Sequence, residues 1–288
     1  MSQPATDGLL LVDKAAGVTS HDVVDIARRA LGTRRVGHAG TLDPFATGLL
    51  VLLIGRATRL AQFVDGEPKV YDATIRFGTE TDSDDATGTV TRDAPPPDPA
   101  AVRAAVPTFT GELSQVPPSV SAKQVAGVRA HSAARRGAPL TLAPAQVTVH
   151  RWDIASITAD ELRATIECSG GTYIRSLARD LGRAAGSAAH CGALRRVRSG
   201  TFHVRDAVPF CELGDRAAGA LRPMVDGLGP VPRESLDAEG VRRIAHGMTV
   251  AATVAGARGA MVDDEGALVA IAERDGDWWR PRVVLRDA

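Results

Sequence analysis

Apolar and polar residues alternate along much of this chain, and the breaks in that alternation mark its elements. GLLLVDK (8–14) reads as a short strand. Thr19, with Asp22 three residues on, predicts a capping box for a helix through HDVVDIARRAL that Gly32 closes. Val23, Ile26, Ala27, Ala30 and Leu31 share one face of it, so Arg28 and Arg29 lean outward. TRRVGHAGTLDPFAT (33–47) has no period and reads as a loop. GLLVLLIG (48–55) is apolar throughout, as expected of a strand buried on both faces. KVYDATIRFG (69–78) alternates, with Tyr71, Ala73 and Ile75 on one side.

Beyond it lie a polar loop, TETDSDDATG, and a proline-rich break, with Asp98 placed to cap the helix AAVRAAV. The basic, alanine- and glycine-rich SAKQVAGVRAHSAARRGAP (121–139) lacks an apolar stripe and reads as a mobile surface segment. VTVHRWDIASI and ELRATIECSG (147–170) predict a hairpin, and TYIRSLARDLGRAAG (172–186) a helix capped at Thr172. DGLGPVPRES (226–235) ends the main body, and short strands such as GAMVDDEGALVAIAE follow around a DDEG turn. No internal repeat is visible.

Composition narrows the class. At 288 residues with 44% hydrophobic and 24% charged residues, the chain has ample core for one large and one small domain. It offers no run of 18 apolar residues for a membrane span, and MSQPATDG lacks the basic and apolar regions of an export signal. Cys168, Cys191 and Cys211 are widely spaced without a CxxC, which suits inert thiols in a reducing cytoplasm. Formal net charge is zero, and residues 229–288 hold 8 Arg against 10 acids. Any polyanion must therefore meet a local patch. Arg34, Arg35, Arg135, Arg136, Arg195, Arg196 and Arg198 are the candidates.

Three segments carry candidate chemistry. GHAGTLDPFATGLL (37–50) sets one carboxylate, Asp43, among small residues, with His38 on the same loop. Asp-Pro is a common turn, so Asp43 is either a turn cap or a reactive group in a place that admits something bulky. GGTYIRS (170–176) puts Arg175 just after a glycine turn. Arg175, Arg179 and Arg183 stack along one helix face, opposite Ile174, Leu177, Ala178 and Leu181. They form either a solvated stripe or, at Arg175, a partner that keeps a buried carboxylate ionised. Tyr71 and Tyr173 are the two tyrosines of the chain. Each is either a core aromatic or a ring placed to stack on a nucleobase.

GHAGTLDPFATGLL, preceded by GLLLVDKAAGVTSHD and followed by KVYDATIRFG and CSGGTYIRSLARDLG, resembles the TruB family of tRNA pseudouridine synthases over residues 8 to about 228. The resemblance implies an α+β pseudouridine synthase fold, a mixed and mainly antiparallel sheet with flanking helices and loops. Residues 1–228 would be the catalytic domain, with 119–144 a mobile RNA-binding insertion, and 229–288 a small β-rich PUA-like domain. The reaction implied is isomerisation of uridine 55 in the TΨC loop of tRNA, with Asp43, Tyr71 and Arg175 catalytic. His38 would support the place vacated by the flipped base. Asp85, Tyr173, Gly40, Thr41 and Lys14 would bind substrate. The family implies the T-arm of tRNA as partner, a monomer in the cytoplasm without an obligate protein partner, and neither cofactor nor metal. TDSDDATG also fails as a calcium loop, because the fifth position counted from Asp82 is Ala86.

Departures from the family pattern are a glycine, Gly170, where lysine is common, SAKQV in the basic segment, and His131 where tyrosine is usual. Rival readings are a non-catalytic tRNA-binding or tRNA-folding protein, an aspartyl-phosphate enzyme lacking the expected magnesium ligands, and a relative that modifies another RNA with protein partners.

Overall fold

The computed structural model describes residues 7–64, 66–121, 140 and 142–286, with the backbone of 124–125 and 128–129. Most of the basic segment predicted to be mobile, with Lys123, His131, Arg135 and Arg136, lies outside the described residues. The chain folds into two compact units, each assembled from separated segments.

The first unit gathers Met1–Asp43, Leu49–Gly66 and Gly200–Ala288. It opens with strand β1 (Gly8–Lys14), then a helix (Ser20–Leu31) whose Thr19 and Asp22 form the expected reciprocal capping box. Gly32 closes that helix at φ 61°. The face it buries is turned slightly from the expected one, with Val24 buried and Ile26 and Ala30 only partly so. Arg28 is half-buried rather than outward, donating to Asp25 Oδ1 at 3.0 Å and to the Val36 carbonyl at 3.3 Å.

The segment 33–47 is not wholly loop. β2 (Val36–His38) pairs antiparallel with β3 (Thr47–Ile54), placing His38 opposite Leu52. Every residue of β3 after Thr47 is buried, as the unbroken apolar run requires. Each such leucine contributes roughly 1.5–3 kcal/mol by leaving water. Two short strands, β13 (Phe202–His203) and β14 (Val208–Pro209), follow residue 200, and β14 runs parallel to β1.

The C-terminal sheet comprises β15 (Arg233–Ser235), β16 (Val250–Ala251), β17 (Arg258–Val262), β18 (Leu268–Asp275) and β19 (Trp278–Val284) in the order β15-β17-β18-β19-β16. Both its faces are covered. Ala260, Val262, Leu268 and Ile271 join Leu9, Leu11, Leu49, Val51 and Leu53 in one cluster. Val269, Met261 and Trp279 pack with Leu236 and Ile244 in another. Buried Glu234 is fully engaged, accepting from Thr253 N at 2.7 Å, Val254 N at 3.2 Å and Trp279 Nε1 at 2.8 Å.

The second unit gathers Pro44–Gly48 and Glu67–Ser199. Its strands are β4 (Lys69–Phe77), β5 (Thr79–Thr81), β6 (Val90–Asp93), β7 (Gly111–Gln115), the short β8 (Gln124–Val125) and β9 (Val128–Arg129), β10 (Ala145–Ile157), β11 (Glu161–Cys168) and β12 (Ala189–Ser199). The sheet order is β12-β4-β11-β10-β7, antiparallel throughout, and the start of β3 adds to β12 in parallel. β10 and β11 are the expected hairpin. Asp98 caps the helix Pro99–Ala105 through Ala100 N at 2.8 Å. The arginine helix (Ile174–Ala184) packs on β12 and β4, and its cap residue is Tyr173 rather than Thr172.

Candidate active site

The second unit brings several candidate residues to one region. Tyr71 is buried on β4, flanked in register by Ile166 of β11 and Arg196 of β12, so these three side chains share a sheet face. Arg196 is 1% exposed and is therefore no surface arginine, unlike exposed Arg34 and Arg35. Arg198 is paired instead with Glu167 at 3.3 Å.

Arg175 opens the helix that lies over β4 and β12, and only 2% of it is exposed. Its guanidinium donates to the Ser83 carbonyl at 2.7 Å and the Val120 carbonyl at 3.0 Å, and stands 3.5 Å from Asp85 Oδ2. A planar, permanently charged group held by three fixed acceptors has one available orientation.

The stretch around Asp85, read as a polar loop, is buried and lies between paired strands β5 and β6. Asp85 Oδ1 accepts from Ser83 Oγ, Thr87 N and Thr87 Oγ1 at 2.6–3.0 Å. Backbone bonds from Cys191 N to Asp84 O and from Ala86 N to Cys191 O fasten the loop to β12. The three arginines are then matched rung by rung. Arg175 faces Asp85, Arg179 meets Asp84 at 2.7 Å, and Arg183 meets Glu80 at 2.5 Å. Arg183 holds the Glu80 carboxyl below its usual range, with Arg92 assisting at 2.7 Å. Burial pushes Asp84 the other way, to about 6, against the pull of Arg179 and Arg175.

In the first unit, Asp43 is half-buried at the end of a loop whose Gly40 takes φ 95°. Thr41 is exposed. Ser20 Oγ bonds both the Leu42 carbonyl and the Leu42 amide, at 3.0 and 2.9 Å, tying the residue before Asp43 to the first helix. Ala39 N donates to Val51 O, anchoring the loop's other end. Lys14 is fully buried, and its Nζ donates to the Ala15 and Val18 carbonyls at 2.9 and 2.8 Å, closing the KAAGV turn. At Gly170, where the family favours lysine, a Cβ would stand 2.3 Å from Glu67 Oε1.

Sequence reasoning missed Ser20, Gln115 and the acids Glu80 and Asp84. Acids at 80, 84 and 85 were a readable complement to arginines at 183, 179 and 175. Gln115 gave no such signal. Among the described residues no group of three or more His, Cys, Asp and Glu is placed to hold a metal ion, and no helix is long and apolar enough to cross a membrane.

Residues 28–174 match the TruB family pseudouridylate synthase N-terminal domain, and residues 175–228 match the tRNA pseudouridylate synthase B C-terminal domain. A tRNA pseudouridine synthase B of Arthrobacter sp. (strain FB24) is 43% identical, with 96% of each chain covered. That of Thermobifida fusca (strain YX) is 42% identical over 97% of this chain and 98% of its own. Among solved structures, an H/ACA ribonucleoprotein bound to a substrate RNA containing 2′-deoxyuridine gives a TM-score of 0.74 at 22% identity. It covers 98% of this chain and 86% of its own. An archaeal box H/ACA Nop10–Cbf5 complex gives 0.73 at 24%, covering 98% and 87%. At that identity the likeness shows the fold alone. Fold and family model together define the class, an α+β pseudouridylate synthase. Within it, the chain belongs to the TruB family.

Proposed function

We propose that this chain isomerises uridine to pseudouridine in tRNA, and that its target is position 55 of the TΨC loop. The observation that carries the reading is Arg175, a fixed and buried guanidinium in the family's GGTYIRS context. The N1–C1′ bond breaks, the base turns, C5 joins C1′, the C5 proton leaves and N1 takes a proton. Bonds and atoms balance without an outside reactant.

In this reading Asp43 assists glycosidic cleavage, by attack on the sugar or by stabilising its positive charge, and Arg175 is the second catalytic charge of the family pattern. Tyr71 stacks on the flipped base, and either its phenolic oxygen or a water takes the C5 proton. His38 supports the vacated place. Asp85 and Tyr173 hold the nucleotide, Gly40 and Thr41 admit its close approach, and Lys14 shapes the neighbouring turn. Residues 1–228 form the catalytic domain and 229–288 a PUA-like domain, in a monomer that works in the cytoplasm on tRNA without an obligate protein partner.

The test is tritium release from tRNA carrying 5-tritiated uridine, with wild type beside Asp43→Asn. Release by the wild type alone, abolished when position 55 is changed, is expected. Binding without release by either protein would replace catalysis with a tRNA-folding role.

A further inference from the structure

The head of the arginine helix carries two residues of the proposed site, Tyr173 and Arg175, yet its cap residue makes no side-chain capping bond. A residue from a distant strand does that work. Gln115, at the end of β7, is 4% exposed, and its side-chain amide is bidentate to the Tyr173 backbone. Nε2 donates to the Tyr173 carbonyl at 3.0 Å and Oε1 accepts from the Tyr173 amide at 2.8 Å.

A carboxamide offers donor and acceptor side by side whatever the pH, so it imitates a rung of sheet pairing. The chain leaving Gln115 continues the grip. The Val116 carbonyl accepts from Ser176 Oγ at 2.9 Å and from Arg179 Nη2 at 3.1 Å, and the Val120 carbonyl accepts from Arg175 Nη2 at 3.0 Å. Gln115 thus starts a rail that fixes both the position of Tyr173 and the direction in which Arg175 leaves the helix.

We propose that Gln115 is a positioning residue for the isomerisation, acting through Tyr173 and Arg175 without touching the substrate. The inference rests on the site reading given above. A displacement of about 1 Å at such a site costs on the order of 100-fold in rate, whereas tRNA affinity, set mainly by phosphate contacts elsewhere, should hardly respond.

The experiment is single-turnover tritium release with enzyme in saturating excess over 5-tritiated tRNA, so that the rate constant does not depend on the folded fraction. Gln115→Met keeps the length and removes both bonds. Its rate constant should fall about 10- to 100-fold, while the enzyme concentration at half-saturation stays within about threefold of wild type.

Gln115→Glu supplies the second arm. Ionised, it accepts from Tyr173 N but opposes Tyr173 O; protonated, it restores the donor. The charged and titratable groups on the elements packed against this segment are Arg175, Arg179, Asp180 and Arg183 on the helix, Glu80, Asp82, Asp84 and Asp85 on β5 and the loop after it, and His150, Arg151 and Asp153 on β10. Groups that titrate alike in both proteins cancel in the ratio to wild type. That ratio should rise as pH falls from 8 to 5.5, by up to about tenfold per unit until the side chain is protonated.

A Gln115→Met rate constant within twofold of wild type, weakened binding at unchanged rate, or a flat Gln115→Glu ratio would each overturn the proposal. If the Met variant does not fold, the Glu variant decides alone. Absence of release by wild type would instead sink the parent reading.

Discussion

Asp84 sits in a left-handed backbone conformation, φ 59°, with its side chain 9% exposed. Burial raises its pKa to about 6 despite Arg179 at 2.7 Å. The folded protein therefore holds the Asp84 proton more tightly than the unfolded chain, whose value is 3.8. Between those values the native state binds more protons, so this group adds stability as pH falls and withdraws it as pH rises.

Integrated from pH 7.5 downward, the gain is about 2 kcal/mol by pH 4.5 and about 3 kcal/mol by pH 3, at 1.36 kcal/mol per unit. Asp84→Asn cannot take the proton, and asparagine tolerates the left-handed region, so the backbone cost is small. Urea unfolding of both proteins across pH 4.5–8 should give curves that diverge, the wild type gaining about 2 kcal/mol on the variant at the acid end. Parallel curves, or a variant that gains on the wild type as pH falls, would refute the reasoning.

Two further outcomes are expected. Gly48 takes φ 100°, and a Cβ there would stand 2.3 Å from the Arg196 carbonyl oxygen and 2.8 Å from its amide, both backbone atoms. Gly48→Ala should therefore lower unfolding free energy by more than about 3 kcal/mol, and a urea midpoint matching wild type would contradict that. Cys168 and Cys191 are buried, with the Cys168 thiol pushed up to about 12 by burial, while Cys211 is exposed. A thiol reagent should label Cys211 alone in the native protein and all three cysteines in urea; native labelling of Cys168 would show that its enclosure is wrong.

What could be read from the sequence was what local physics decides. The capping box at Thr19, the buried run of β3, the alternation of β4 and the Asp98 cap depend on residues within a turn or two of one another. β2 escaped notice because a three-residue strand owes its hydrogen bonds to β3, not to its own pattern. TETDSDDATG reads as a solvated loop in sequence because its partners, Arg175, Arg179 and Arg183, lie 90, 95 and 103 residues beyond Asp85, Asp84 and Glu80. Tyr173 rather than Thr172 stands at the cap: its amide is held by Gln115 from another strand, while Thr172 Oγ1 meets Ser169 Oγ at 3.4 Å. The roles of Asp43, Tyr71 and Arg175 came from family resemblance, since composition left each with an ordinary structural alternative.

The matched rungs explain how Glu80, Asp84, Asp85, Arg175 and Arg179 are kept largely buried, while Arg92 and Arg183 stay half-exposed. Arg92, Arg175, Arg179 and Arg183 are met by Glu80, Asp84, Asp85 and Asp180, so the cluster is formally neutral when all are ionised. Buried ion pairs add little net stability over well-packed apolar residues, because desolvation offsets their attraction. Their consequence here is register. Loop acids at 80, 84 and 85 meet helix arginines at 183, 179 and 175 in antiparallel order, so a slip of one residue would leave several buried charges unpaired at once. Each such loss costs about 3–5 kcal/mol. The outer rungs therefore dictate where Asp85 and Arg175 stand, and the pair is fixed in place before any RNA arrives.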